Sequence, residues 1–155
     1  MKLTALLIPV LCGVAAAQTC RIDTIVGTYL VSYTGTMAVM IPNAPPANYS
    51  GAIFGILSIG SDSKVTGAAA VAGLGPVTDY EVAGRIEFKP DCTGTIWMTV
   101  APKGSTATET EVDRFFFLRD TNELRVIVVD MGPGVYPALL GTWKRIAPYP
   151  DAVAW

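Results

Sequence analysis

Residues 78–101 read TDYEVAGRIEFKPDCTGTIWMTVA, and this stretch decides the fold. Tyr80, Val82, Gly84, Ile86 and Phe88 alternate with Glu81, Ala83, Arg85 and Glu87. A period of two with one polar set is the pattern of a half-buried strand. The first set is expected to face inward and the second to face water. Lys89-Pro90-Asp91-Cys92 then supplies turn residues. Beyond it Ile96, Met98 and Val100 alternate with Thr95, Trp97 and Thr99. Two strands joined by so short a link are antiparallel neighbours.

The same grammar runs through the rest of the chain. Short runs rich in Val, Ile, Thr, Phe and Tyr are broken by Gly, Pro, Asp and Asn. Eight strands are expected at 26–34, 51–60, 64–73, 78–89, 93–101, 110–119, 123–131 and 138–147. Gly60-Ser61-Asp62-Ser63 and Asp120-Thr121-Asn122 make further tight links. Tight links throughout predict a meander. Eight meandering strands close most simply into an all-β, antiparallel up-and-down barrel, which leaves no exposed edge. A barrel of that size is filled by side chains or holds one small ligand.

The sixth strand has two candidate inner faces. Val112, Arg114, Phe116 and Leu118 share one, while Asp113, Phe115, Phe117 and Arg119 share the other. Both carry apolar bulk, so a bulge or a second contact layer stays open. The segment 41–50, IPNAPPANYS, is proline-rich and carries no strand pattern. Its stiffness suits a connector or a binding loop at one mouth of the barrel. The loop 131–137 is expected to flank a mouth too.

Composition narrows the chemistry. The chain has 155 residues, 11 Lys plus Arg, 13 Asp plus Glu, and no histidine. A formal charge of −2 with 15% charged residues is not that of a basic nucleic-acid binder. Without histidine there is no Ser-His-Asp triad, no Cys-His dyad and no histidine-based metal site. No metal and no cofactor are expected. No Walker loop, GxSxG or HExxH occurs.

Residues 1–17, MKLTALLIPVLCGVAAA, have a basic start, an apolar stretch and an Ala15-Ala16-Ala17 cleavage pattern. These are the marks of a signal peptide, leaving 18–155 as a single secreted barrel domain. No later run is long enough for a transmembrane anchor. Cleavage removes Cys12 and leaves Cys20 and Cys92, which in a secreted chain point to one disulfide. Asn48-Tyr49-Ser50 is a glycosylation sequon, expected in a loop.

Several short motifs extend this picture. Gly27-Thr28-Tyr29 opens the first strand, and the proline-rich link follows. Later come Asp91-Cys92-Thr93-Gly94-Thr95-Ile96, Asn122-Glu123-Leu124-Arg125-Val126-Ile127 and Gly141-Thr142-Trp143-Lys144-Arg145-Ile146. Together these resemble a group of small secreted microbial proteins, mostly fungal, with an eight-stranded calycin-like barrel similar to lipocalins or to the allene oxide cyclase barrel. In the lipocalin pattern, Gly-x-Trp on the first strand packs against a basic residue on the last. The resemblance puts Tyr29 in place of that Trp and Arg145 opposite it. A guanidinium stacked on an aromatic ring would close the barrel floor, with Trp143 as the other candidate partner.

Two charged residues are candidates for catalysis. Arg114, between Val112 and Phe116, would hold a ligand carboxylate or enolate if it faced inward. Asp130, at the end of an apolar strand, would act as an acid or base at the rim. Tyr29, Tyr33, Tyr80, Met98, Phe116 and Trp143 are the candidate ligand-binding residues, each with apolar area and most with one polar handle. The leading expectation is a small hydrophobic molecule bound inside the barrel. The alternatives are a cyclase or isomerase that steers its substrate by shape, and a secreted effector acting through an outer patch of Trp97, Phe115 and Phe117. Self-association is left open.

Overall fold

A computed structural model describes residues 19–40, 42–73 and 76–148. The expected leader 1–17 and the tail 149–155 lie outside the described residues. Eight strands follow in order: β1 (Gly27–Val39), β2 (Ala47–Ile59), β3 (Lys64–Ala72), β4 (Thr78–Phe88), β5 (Thr93–Pro102), β6 (Glu109–Leu118), β7 (Glu123–Asp130) and β8 (Val135–Ala147). Each pairs antiparallel with the next, and β8 returns to β1, so the sheet is a closed barrel.

Three boundaries differ from the sequence reading. β1 runs on to Val39 because Gly35 lets β8 come close; a Cβ there would lie 2.1 Å from the Ala138 carbonyl oxygen. β2 begins at Ala47, so the last four residues of the expected loop 41–50 are strand. Asn48 therefore sits exposed on β2, paired with Ala38, and not in a loop. β8 begins at Val135, which leaves only a turn between it and β7.

The alternation in β4 and β5 falls as expected, with Val82, Ile86, Ile96 and Met98 buried inside. In β6 the inner face is Glu111, Asp113, Phe115 and Phe117. Arg114 and Phe116 point outward, Arg114 exposed and Phe116 half-exposed, which corrects the inner-face placement of both. The reason is electrostatic. A buried carboxyl can shed its charge by keeping a proton, whereas a guanidinium cannot. The chosen face also buries two phenylalanines, which pack on Phe88 at centroid distances of 5.8 and 6.3 Å. With Phe115 and Phe117 inside, the outer patch expected with Trp97 does not form. Trp97 itself lies under the Arg85 guanidinium, 4.2 Å from the ring centroid.

One end of the barrel is a closed floor. A short turn, Ile22–Thr24, folds under it and places Ile25 wholly inside. Arg145 donates to the Thr24 carbonyl and to the Tyr29 hydroxyl, and its guanidinium lies 5.6 Å from the Tyr29 ring centroid. Tyr29 in turn donates to the Ile25 carbonyl at 2.6 Å. Arg145 thus stacks on Tyr29 rather than Trp143. Cys20 and Cys92 are bonded, with Cα atoms 5.1 Å apart, and the Cys20 N–H donates to the Pro90 carbonyl at 3.0 Å. The bond ties the floor segment to the β4–β5 turn.

The crosslink spans 72 residues, so opening it is expected to cost about 4 kcal/mol by the loop-closure argument. Urea unfolding of Cys20→Ser/Cys92→Ser against the oxidised protein checks this. Amide exchange should then speed up most in residues 20–26, with the mid-barrel strands least affected.

Candidate functional site

The other end of the barrel holds the candidate site. A cavity of about 70 Å³ lies inside it. Its walls are apolar: Val31 and Met37 from β1, Ile53 and Leu57 from β2, Ala69 and Val71 from β3, Met98 and Val100 from β5. Met131, just past β7, reaches in from the rim. Tyr33, Tyr80, Glu109 and Glu111 are its polar members. Most of these lie toward the mouth framed by the β1–β2, β3–β4, β5–β6 and β7–β8 connectors, while Leu57, paired with Tyr29, reaches down toward the floor.

A chain of buried polar groups runs from the core to this cavity. Trp143 Nε1 donates to the Tyr33 hydroxyl at 2.7 Å. Tyr33 donates onward to Asp113 Oδ2 at 2.5 Å. Asp113 is fully buried, and its other oxygen, Oδ1, has no hydrogen-bond partner among the described residues. Glu111, 5% exposed, is the next inward residue on the same strand and forms the cavity-side end of the chain. Burial raises the Glu111 carboxyl to about 7, offset in part by its contact with Asp113 and reinforced by Glu109. Burial first, and then the neighbouring Glu111 charge, raise Asp113 well above the usual carboxylate range. Two carboxyls this close and this dry cannot both ionise. A proton kept by one of them satisfies the other, with Asp113 the keeper and Glu111 the group that titrates near neutrality.

Local sequence makes this geometry. Tyr33 is paired across the sheet with Gly141, and its ring lies over that glycine. A Cβ at Gly141 would sit 2.5 Å from the ring. The same device recurs at Gly94, under the Phe115 ring. Beside Asp113 the β6–β7 ladder shifts register: Asp113 pairs with Val128 but Val112 with Asp130, leaving Val129 as the extra residue. Such a bulge re-aims side chains locally. The β7–β8 pairing stops at Ile127 and Leu140, while β8 stays paired to β1 up to Val135. Pro137 has no N–H to extend it. The wall is therefore unzipped between β7 and β8 on the mouth side of the acid pair.

The sequence-derived candidates separate into groups. Tyr33, Tyr80 and Met98 line the cavity. Tyr29 and Trp143 are fully buried, Tyr29 in the floor and Trp143 beneath the acid pair, where they hold other side chains in place. Phe116 and Arg114 border a shallow groove on the outer wall, away from the cavity. Asp130 is exposed at the rim, where its carboxylate accepts the Gly132 N–H at 2.8 Å. Glu111 and Asp113 are the residues sequence reasoning missed. The signal was the alternation Glu111-x-Asp113-x-Phe115-x-Phe117, one of the two faces of this strand that periodicity leaves open.

Among the described residues no cluster of three or more metal-ligating side chains occurs, and no helix is long and apolar enough to cross a membrane.

Two outcomes follow from this geometry. Glu111 holds its proton to about pH 7 when folded but only to about 4.5 when unfolded. The folded state binds more protons across that window, so stability falls as pH rises through it, by roughly 3 kcal/mol for this group. Urea titrations from pH 4 to 8 should show a slope in the wild type that is reduced in Glu111→Gln, the remainder belonging to the raised Asp113 carboxyl. Gly141→Ala should push the Tyr33 ring away and cost about 1–3 kcal/mol by overpacking. The Trp143 indole N–H resonance should then move upfield as its acceptor leaves.

No protein-family model matches this chain, and neither a curated protein nor a solved structure matches it, so the site stands on its own geometry.

Proposed function

We propose that this protein is a secreted barrel that binds a small, largely apolar molecule at the mouth end of its interior. The observation that carries this is the cavity, apolar on nearly every side and ending on a buried carboxyl. Ligand sites are commonly mostly apolar with a few placed polar groups. At about 70 Å³ the cavity is well below the 300 Å³ or more of common ligand sites. Met37, Met98 and Met131 line it, however, and unbranched thioether side chains repack around a guest. The unpaired span between β7 and β8 supplies a place where the wall can part. The leader-like residues 1–17 and the Cys20–Cys92 bond support secretion.

The acid pair favours a second reading, an isomerase that moves a proton within the bound molecule. A carboxyl titrating near 7 beside a dry cavity has the property a general acid or base needs.

Native mass spectrometry of the secreted protein, followed by solvent extraction, is the direct test. A bound apolar compound is expected. Benzyl alcohol added to the emptied protein should shift the Met37, Met98 and Met131 methyl resonances, and Ala69→Leu should abolish those shifts by filling the cavity. An empty protein whose methyl resonances ignore benzyl alcohol overturns the binding proposal. Turnover of the extracted compound that disappears in Glu111→Gln would establish the second reading.

A further inference from the structure

We infer that the barrel's ligand is an organic cation, a small apolar amine whose ammonium group sits against Glu111, the cavity end of the acid pair. This rests on the proposal that the cavity is a binding site, and adds the charge of what fills it. The starting point is an imbalance inside the barrel. Glu111 and Asp113 are both buried, and Asp113 Oδ1 lacks a partner. A buried carboxylate needs a cation or a proton.

No strand packed round the pair supplies a cation among the described residues. β1 offers the Tyr33 hydroxyl, already donated to Asp113 Oδ2. β2 brings Tyr49 and β4 brings Tyr80, neither a cation. β3 and β5 bring only Ala69, Val71, Met98 and Val100. β6 adds another acid, Glu109, at the cavity edge. β7 faces the pair with Val126 and Val128, and β8 with Leu139 and Trp143, whose N–H is spent on Tyr33. Among the described residues the partly buried guanidinium groups of Arg119 and Arg145 both lie at the opposite end, Arg119 donating to Cys20 Sγ and Arg145 to Thr24 and Tyr29. Among the described residues no Lys or Arg lines the cavity.

The shared proton neutralises one carboxyl, and once Glu111 ionises the charge it gains is matched only by a cation that comes with the guest. A bare metal ion fits poorly, because hard cations take six or more oxygen ligands and these walls are apolar. An ammonium on a small apolar body satisfies both halves of the site. It donates to the Glu111 carboxylate while its carbon skeleton meets Val31, Ile53 and Leu57. Glu109, Glu111 and Asp113 together repel an anion of the same shape. Because Glu111 changes charge near pH 7, the complex should hold at neutral and alkaline pH and loosen in acid.

Three probes of one shape test this: benzylammonium, benzyl alcohol and benzoate, titrated by NMR at pH 8 and pH 5. At pH 8 benzylammonium should bind at least tenfold tighter than benzyl alcohol, with no benzoate binding. At pH 5 the preference should shrink several-fold. Glu111→Gln should remove the preference while benzyl alcohol still binds, which shows the variant folded. The wild-type ratio of cation to alcohol needs no variant at all. Equal affinities for the two overturn the inference but leave the cavity proposal standing. Binding of neither overturns both.

Discussion

β1 pairs along nearly its whole length with β2 on one side and β8 on the other. This double pairing is the constraint on which everything else depends. It closes the sheet, removes the free edges and turns one face of every strand into an interior of fixed size. Gly35, where the β8 backbone passes too close for any side chain, is one place where the sequence makes room for it.

A closed interior is unforgiving of charge, yet this one contains two carboxyls. They are tolerated because they share a proton and because Tyr33, backed by Trp143, gives Asp113 a donor. The arrangement hangs on a glycine: only at Gly141 can the Tyr33 ring lean across its neighbour strand. The two ends of the barrel divide the labour. The floor is sealed by Ile25, Tyr29 and Arg145 and pinned by the disulfide. The mouth end keeps the cavity, the methionines, the acid pair and the unzipped β7–β8 seam. Rigidity and adaptability are thereby placed at opposite ends of one small domain.

Much of the fold was legible because strand alternation is a local signal. Tyr80 to Phe88 and Ile96 to Val100 announce their faces without help from the rest of the chain. The stacking of Arg145 on Tyr29 followed from a resemblance carried by Gly27-Thr28-Tyr29 and Trp143-Lys144-Arg145. The site was less legible. In residues 110–119 both faces are apolar, so periodicity could not choose between them. Arg114 stood on one candidate inner face and Asp113 on the other, and the barrel takes the Asp113 face inside. Strand ends also differ, since residues 35–39 and 47–50 carry no strand signal of their own until a neighbouring strand is there to pair with them.

Strand count, meander and the two half-cystines can be read from the chain alone, because hydrophobic period, turn residues and cysteine number are properties of neighbouring residues. Which face of β6 turns inward, and with it where the chemistry lies, is settled by long-range packing. That choice depends on groups distant in the chain: Phe88 and Gly94 making room for Phe115, Gly141 making room for Tyr33, and a bulge at Val129 beside Asp113. A carboxyl can be buried by keeping its proton and an arginine cannot, and that difference acts only once the barrel has closed around them.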